Sequence, residues 1–136
     1  TLHNTLFPYT TLFRSGVVDR VTYKGGNMFD RVPEADAYIL KWILHNWDDS
    51  ACHDILSTVH RDAPPDGRIF VIESLVPGPD SDHHSKRLDV TMMAQVGGRE
   101  RTEAEYAVLL EEAGWDLVET RPMDEVSVSI LEAVKA

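Results

Sequence analysis

The sequence predicts an α/β fold, with an open and largely parallel sheet that ends in an antiparallel hairpin. Two apolar runs of strand length, residues 37–44 and 69–75, are separated by a segment with helical spacing, which is typical of parallel strands covered on both faces. Near the C-terminus, strand-like residues 115–120 and 126–130 are joined by a link too short for a crossover helix. These last two strands should therefore pair antiparallel.

The first half of the chain carries two predicted strands and one predicted helix. Residues 17–23 form a short β-branched run that ends at a Gly-Gly turn, and residues 37–44 form the first long strand. Asp48 or Asp49 can cap the following helix, which Pro64 and Pro65 end. Its apolar positions recur at helical spacing and define one buried stripe: Ala51, Cys52, Ile55, Leu56 and Val59.

The second half begins with the strand at 69–75 and continues with two predicted helices. The first covers residues 84–95, with Leu88, Met92 and Met93 facing inward. The second opens at the capping box formed by Thr102 and Glu105 and runs through Glu112, with Gly114 as its C-cap. Its predicted inward residues are Tyr106, Leu109, Leu110 and Ala113.

The first fifteen residues differ in composition from the rest of the chain. They contain no acidic residue, and the segment "TLFPYTTLFRS" resembles the translation of a widely used sequencing-library adapter. We interpret residues 1–15 as foreign and leave them out of the fold prediction. We expect residues 16–136 to be a fragment that enters its domain midway.

Composition limits the classes of function. The net charge of −10, from 23 acidic and 13 basic residues, argues against binding to a nucleic-acid backbone. No apolar run in the sequence is long enough to cross a bilayer, which argues against a membrane partner. Cys52 is the only cysteine and can form no internal disulfide, which suits a cytoplasmic location.

Three ionisable residues are predicted to meet at the carboxyl edge of the sheet. His45 and Glu73 lie at or near the ends of the two long strands, and Glu100 lies in a Gly-Gly loop ahead of a helix. A carboxylate on one imidazole nitrogen fixes the tautomer and makes the other nitrogen a better general base. Each residue also has a structural interpretation: a hydrogen-bonded strand-end histidine, a half-buried ion pair and a solvated loop charge.

Three blocks of sequence carry a resemblance to a known family. They are "GGNMFDRVPEADAYILKWILHNWDD", "VIESLVPG" and "GGRERTEAEYAVLLEEAGW", in that order. Together they resemble the small-molecule O-methyltransferases that use S-adenosylmethionine, of the caffeic-acid and isoflavone type in plants and their bacterial antibiotic-tailoring relatives. The resemblance covers essentially all of residues 16–136. It implies a Rossmann-like methyltransferase sheet, S-adenosylmethionine as cofactor and a small aromatic alcohol as acceptor.

The resemblance also implies roles for individual residues. His45 matches the family's catalytic base, flanked by Glu73 and Glu100. Met92 is expected to line the acceptor pocket, although core packing is an equal interpretation. The residues that match the family's cofactor contacts are Asn27, Met28, Lys41 and Trp47. Without the resemblance, packing in the core explains the presence of Met28 and Trp47 equally well.

The chain departs from the family pattern in three ways. Asn27 and Asn46 replace the usual acidic residues, and the glycine-rich loop and ribose-binding acid are expected upstream of this chain. The family's strand order is 3-2-1-4-5-7-6, and we expect strands 3–7 here, with residues 17–23 as strand 3. We therefore expect the isolated fragment to bind cofactor poorly and to be nearly inactive. The full-length parent is expected to form a homodimer through an N-terminal domain that is missing here.

Three rival interpretations remain open from sequence. One is a non-catalytic binding domain on the methyltransferase fold, and another is a nicotinamide-dependent oxidoreductase, which the final hairpin disfavours. The third is a metal enzyme built on Cys52, His53, His60, His83 and His84. We expect no metal site, because His53 and His60 lie seven apart on a helix without a matching ligand block.

Overall fold

The computed structural model describes residues 18–22, 24–123 and 127–136. Over these residues the chain forms an α/β structure with a four-stranded open sheet in the order β1-β2-β4-β3. The strands are β1 (Ala37–Lys41), β2 (Arg68–Glu73), β3 (Trp115–Met123) and β4 (Val128–Lys135). This order reproduces the 4-5-7-6 part of the strand order expected for a methyltransferase sheet, and the predicted fold class is confirmed.

The prediction of a strand at 17–23 is wrong over the residues described there. Val18–Arg20 forms a short 3-10 helix, and the structure places no strand at 21–22. A β-branched run needs a neighbouring strand to satisfy its backbone groups, and propensity alone does not supply one. Residues 17 and 23, and the segment 1–15, lie outside the described residues.

Strand β1 is shorter and less covered than predicted. It pairs in parallel with β2, with Tyr38 opposite Ile69 and Leu40 opposite Val71. It ends at Lys41, because Trp42 takes a left-handed backbone conformation (φ 56°) that breaks the extended run. It is an edge strand of the described sheet, and Ile39 is 66% exposed, so the prediction that both its faces are covered is wrong.

The C-terminal hairpin is confirmed and is longer than predicted. Strands β3 and β4 are antiparallel, and β4 is also antiparallel to β2. Because β4 lies between two neighbours, both of its faces contain buried residues, including Leu131 on one face and Glu132 on the other. The alternation of Val126, Val128 and Ile130 with Ser127 and Ser129 predicts a strand buried on one face only, and this prediction is wrong. Val126, which belonged to that prediction, lies outside the described residues.

Three helices flank the sheet close to the predicted positions. They are α1 (Asp49–Asp62), α2 (His84–Gln95) and α3 (Glu103–Glu112). The Asp48 side chain accepts from the Ala51 N–H and caps α1, and the capping box of Thr102 and Glu105 is formed at the start of α3. The C-cap of α3 is Ala113, followed by Gly114 with φ 86°.

The hydrophobic core lies between helices α1 and α3 and the sheet face that carries Ile69, Val71 and Leu131. The stripe predicted for α1 is buried except for Ala51, which is partly exposed. Trp115 is fully buried, and its indole N–H donates to the Leu56 carbonyl at 3.1 Å. On α2, by contrast, Leu88 and Met92 are half-buried and Met93 is 55% exposed, so Met93 does not face inward. None of the described helices combines the length and apolar character needed to span a membrane.

Candidate active site

His45 lies just beyond the end of β1, in a second 3-10 helix (Leu44–Asn46). The left-handed Trp42 turns the chain out of the sheet, and this turn brings His45 over the carboxyl end of β2. The histidine is 7% exposed, and its ring lies 5.1 Å from that of Trp42, centroid to centroid. Strained backbone of this kind is characteristic of functional sites, where surrounding contacts must hold it.

Glu73 is the last residue of β2 and holds the backbone of that turn. One carboxylate oxygen, Oε1, accepts hydrogen bonds from the N–H groups of Ile43 (3.1 Å), Leu44 (2.9 Å) and His45 (3.4 Å). The other oxygen, Oε2, lies 3.9 Å from Nδ1 of His45. Glu73 is completely buried. It therefore caps the second 3-10 helix and also places negative charge beside the imidazole.

Glu100 makes the direct contact with the imidazole ring. Its Oε1 lies 2.8 Å from Nδ1 of His45, and both side chains are buried. The Glu100 backbone N–H donates to Oδ1 of Asp89 on α2 at 2.8 Å, which fixes the loop that carries it. The structure thus brings together the three residues predicted to form the catalytic group, from three separate segments of the chain.

This arrangement defines the tautomer of His45. An ionised carboxylate only accepts hydrogen bonds, so Nδ1 carries the hydrogen that faces Glu100 and Nε2 keeps its lone pair. Burial by itself lowers the pKa of His45, but the hydrogen bond to Glu100 and the charges of Glu73 and Glu100 outweigh it, and the pKa is raised above 6.5. The site therefore favours a histidine that accepts a proton at Nε2.

The pKa of Glu73 is also perturbed. Burial is the largest cause and raises it to about 7, aided by the nearby charge of Glu100, although the charge of His45 and the backbone hydrogen bonds act in the opposite direction. Among the described residues, neither Oε2 of Glu73 nor Oε2 of Glu100 has a hydrogen-bond partner. Near neutral pH the Glu73 carboxyl group is therefore present in both its protonated and its ionised form.

His45, Glu73 and Glu100 also offer one donor atom each within 4.8 Å of one another, a set that a divalent cation could use. Within the described residues this is the one group of three such ligands that lies close enough. The other histidines have separate surroundings: His60 packs edge-on against Trp115, and His83 accepts from the Ser85 N–H and caps α2. Among the described residues, no three of Cys52, His53, His60, His83 and His84 lie close enough together to form a group of metal ligands.

The predicted cofactor residues lie around the turn at residues 27–30 and the end of the second 3-10 helix. Asn27 is exposed, and its side-chain oxygen already accepts from the Phe29 N–H at 3.2 Å. Met28 is half-buried against the core. Trp47 is 36% exposed and meets Phe29 edge-on, with ring centroids 5.0 Å apart. Lys41 is exposed at the end of β1.

Two residues near His45 were not identified from sequence as parts of the site. Asn46 was noted only as a departure, but its side-chain NH₂ donates to the carbonyls of Trp42 (3.0 Å) and Ile43 (3.2 Å) and closes the turn. Arg101 is fully buried and donates to the Leu44 and Trp47 carbonyls. An arginine in a Gly-rich loop normally indicates a solvated charge, so only its place next to Glu100 could have drawn attention to it.

A glycine explains how the loop approaches His45 so closely. A Cβ on Gly98 would lie 2.1 Å from the backbone oxygen of His45. Gly97, which precedes it, has φ 72° and open space around it. The Gly-Gly pair therefore supplies a left-handed residue for the turn and then a residue without a side chain for the contact with His45.

Fold and site together define an open α/β sheet with a buried histidine and two buried carboxylates at the carboxyl edge of its parallel strands. The O-methyltransferase domain family matches residues 9–116, and the chain belongs to that family. The match includes part of the segment that we interpret as foreign, and that interpretation stays a prediction. Membership also decides against the nicotinamide-dependent oxidoreductase considered from sequence.

Individual relatives agree with this assignment. The chain is 44% identical over 100 residues to anthranilate N-methyltransferase of Ruta graveolens (70% of this chain, 28% of that protein). It is 38% identical over 109 residues to caffeic acid 3-O-methyltransferase of Zinnia elegans (73% and 31%). It thus spans less than a third of the length of these two relatives.

Solved structures share the fold. Mitomycin 7-O-methyltransferase superposes with a TM-score of 0.86 at 33% identity, covering 94% of this chain and 38% of that one. Human N-acetylserotonin methyltransferase, solved in complex with SAM, superposes with a TM-score of 0.81 at 31% identity, covering 87% and 34%.

Proposed function

We propose that this chain carries the catalytic base of an enzyme that transfers a methyl group from S-adenosylmethionine to a phenolic hydroxyl of a small molecule. The observation that carries the proposal is the 2.8 Å contact between Nδ1 of His45 and Glu100, in a buried site that also holds Glu73. Family membership supports the reaction type. The acid–base geometry supports the role of His45.

The chemistry needs a base because a phenol, with a pKa of about 10, is a poor nucleophile near pH 7. Nε2 of His45 takes the hydroxyl proton, and Glu100 stabilises the imidazolium that forms while Glu73 keeps the turn in place. Burial of the imidazole at the edge of the sheet keeps water from competing for the proton. The sulfonium cofactor, when bound, supplies a methyl group that is already activated for transfer.

The residues at 27–30 and Trp47 fit the adenine portion of such a cofactor. Met28 offers a soft apolar surface beside the core, and the edge-on contact of Phe29 with Trp47 leaves part of the indole exposed. The Asn27 oxygen has one backbone donor and can accept a second hydrogen bond. We therefore assign Asn27, Met28, Lys41 and Trp47 to cofactor binding and Met92 to the acceptor pocket.

We further propose that a longer protein completes the site. Strand β1 has β2 as its one neighbour in the described sheet, and its exposed Ile39 suits a strand that packs against further structure. On this view the 136-residue chain binds the cofactor weakly and turns over little, and the parent protein is a homodimer located in the cytoplasm. Methyl transfer by the isolated chain at a rate typical of enzymes would contradict this part of the proposal.

The proposal is tested by His45→Ala in a form of the protein extended upstream of residue 16. We expect kcat to fall by about 10² to 10⁴-fold, because general-base catalysis contributes that much, while the Kd for S-adenosylmethionine changes by less than about threefold. His53→Ala is the matched control, since His53 is a partly exposed histidine on α1. An unchanged kcat in His45→Ala would favour catalysis by proximity alone. No transfer by the extended parent would favour the non-catalytic binding domain.

The acceptor atom needs its own test, because one relative is named for methylation of nitrogen. A phenol loses its proton before or during transfer, whereas a neutral aromatic amine already has a lone pair and loses its proton afterwards. With matched phenol and aniline acceptors, we expect the phenol to react faster and to lose more rate in His45→Ala. Preference for the aniline in the extended parent would assign the chain to N-methylation instead.

A further inference from the structure

We propose that Arg101 is a positioning residue that fixes His45 by binding the backbone carbonyls on both sides of it, with Asp49 as its charged anchor. The inference rests on the proposed role of His45 as the base. It gives a role to the buried charge of Arg101, which is not one of the three proposed catalytic residues.

The contacts of the Arg101 guanidinium surround the turn that carries His45. Nη1 donates to the Leu44 carbonyl at 3.1 Å, and Nη2 donates to the Trp47 carbonyl at 2.8 Å. Nε and Nη2 both donate to Oδ1 of Asp49, at 3.0 and 2.8 Å. The two carbonyls precede and follow the His45–Asn46 pair, so one planar group spans the segment from end to end.

The guanidinium of Arg101 is a buried charge, and burying a charge costs free energy unless hydrogen-bond partners compensate for the lost water. The side chain is 0% exposed, and its guanidinium lies 5.8 Å from the centroid of the Tyr106 ring. A buried charge requires a full set of partners, and here carbonyl oxygens and one carboxylate supply them. Asp49 is 53% exposed, so the ion pair reaches solvent on one side only. The rigid fork of an arginine suits several fixed acceptors better than the single ammonium of a lysine.

Two consecutive residues therefore hold two different parts of His45. Glu100 binds the ring at Nδ1, whereas Arg101 binds the backbone on either side of the residue. The loop is tied to the end of β2 as well, because the Arg101 carbonyl accepts from the Val76 N–H at 2.9 Å. Rotation of the imidazole away from Glu100 is thereby opposed at the ring and at the main chain together.

The proposal differs from a purely electrostatic role in a measurable way. The positive charge of Arg101 acts to lower the pKa of His45. Arg101→Lys keeps this charge and removes the fork. If only the charge matters, the variant leaves the imidazole unchanged; if the fork positions the ring, the hydrogen bond to Glu100 weakens and the pKa of His45 falls.

The experiment is an NMR titration of the histidine rings in the 136-residue chain and in three variants. In Arg101→Lys we expect the Nδ1–H signal of His45 to move upfield or broaden, and its pKa to fall by about half a unit or more. Asp49→Asn weakens the anchor while keeping Arg101, so it should shift both readouts in the same direction but less. The matched control is Arg99→Lys: Arg99 pairs with Oδ2 of Asp49 at 2.8 Å and is half-exposed, and we expect no change there.

Activity separates this inference from the proposed function. In the extended protein, Arg101→Lys should lower kcat by about 10 to 100-fold, as expected for a misplaced base, with the KM for the cofactor within about threefold of the parent. An NMR change without a loss of kcat would support positioning of His45 and contradict its role as the base. Unchanged His45 signals in folded Arg101→Lys, or in Asp49→Asn if the lysine variant does not fold, would overturn the inference.

Discussion

The most informative stability prediction concerns Glu73, whose buried carboxyl group should make folding depend on pH. Its pKa is raised from 4.5 to about 7, and at about 1.4 kcal/mol per pKa unit this corresponds to about 3 kcal/mol. The folded state holds the proton more tightly than the unfolded state. The stability gained from the protonated form is therefore complete below pH 4.5 and is lost as the pH rises through about 7.

Glu73→Gln removes this titration and keeps a side-chain oxygen that can accept from the backbone N–H groups of Ile43, Leu44 and His45. The quantity to measure is the free energy of unfolding in urea, followed by tryptophan fluorescence, for the variant minus the parent. We expect this difference to rise in favour of the variant by about 3 kcal/mol between pH 4.5 and 8. Loss of the Glu73 charge also lowers the pKa of His45, which acts in the same direction.

Glu119→Gln is the control of opposite sign. A hydrogen bond from Arg121 holds the pKa of the exposed Glu119 below 4.5, so its contribution is present at higher pH and is lost as the pH falls. For Glu119→Gln, the free energy of unfolding of the variant minus that of the parent should therefore fall as the pH rises, and this change should occur at lower pH than the change in Glu73→Gln. A Glu73→Gln difference that stays flat from pH 4.5 to 8 would refute the reasoning, because it would mean that Glu73 titrates alike in the folded and unfolded chain.

Two further predictions test the surroundings of His45. Gly98→Ala should destabilise the chain by about 2 kcal/mol or more, because its Cβ would lie 2.1 Å from the backbone oxygen of His45. Gly97→Ala should cost about 1 kcal/mol, because only its φ of 72° disfavours a side chain. Urea unfolding measures both losses, and equal losses would contradict the close contact at Gly98. Cys52 is buried, and burial raises the pKa of its thiol to about 11. A thiol reagent at pH 8 should therefore label it slowly in the native chain and rapidly in urea. Equal labelling rates would contradict the burial of Cys52.

Local signals in the sequence predicted the helices well. The capping box of Thr102 and Glu105 and the cap at Asp48 involve residues three positions apart, so their geometry follows from the sequence itself. The bounds of α2 match the prediction because polar turn residues precede it and a Gly-Gly pair follows shortly after it. The antiparallel pairing of the last two strands was predictable because the link between them is too short for a crossover helix.

The errors arose where contacts distant in sequence decide the structure. An apolar run cannot show that the strand at 37–44 stops at Lys41, since the turn that follows is held by Glu73, about thirty residues later. The burial of both faces of β4 depends on its central place in the sheet. In the site, His45 and Glu73 could be predicted to meet because the ends of parallel strands share one edge, and Glu100 could be predicted to join them from the loop ahead of a helix. The burial of Arg101 could not be predicted, since two of its acceptors are the backbone carbonyls of Leu44 and Trp47 and the third is Asp49, about fifty residues away in sequence.

The proposed role of His45 requires that Glu100 holds the proton of Nδ1 and leaves Nε2 free to accept one. The most direct measurement is the tautomer and pKa of His45, from the ¹⁵N chemical shifts of both ring nitrogens across pH 5 to 9. We expect a neutral form protonated at Nδ1 and a pKa of His45 above 6.5 that falls in Glu100→Gln. A neutral ring protonated at Nε2, or a pKa that is indifferent to Glu100, would contradict it.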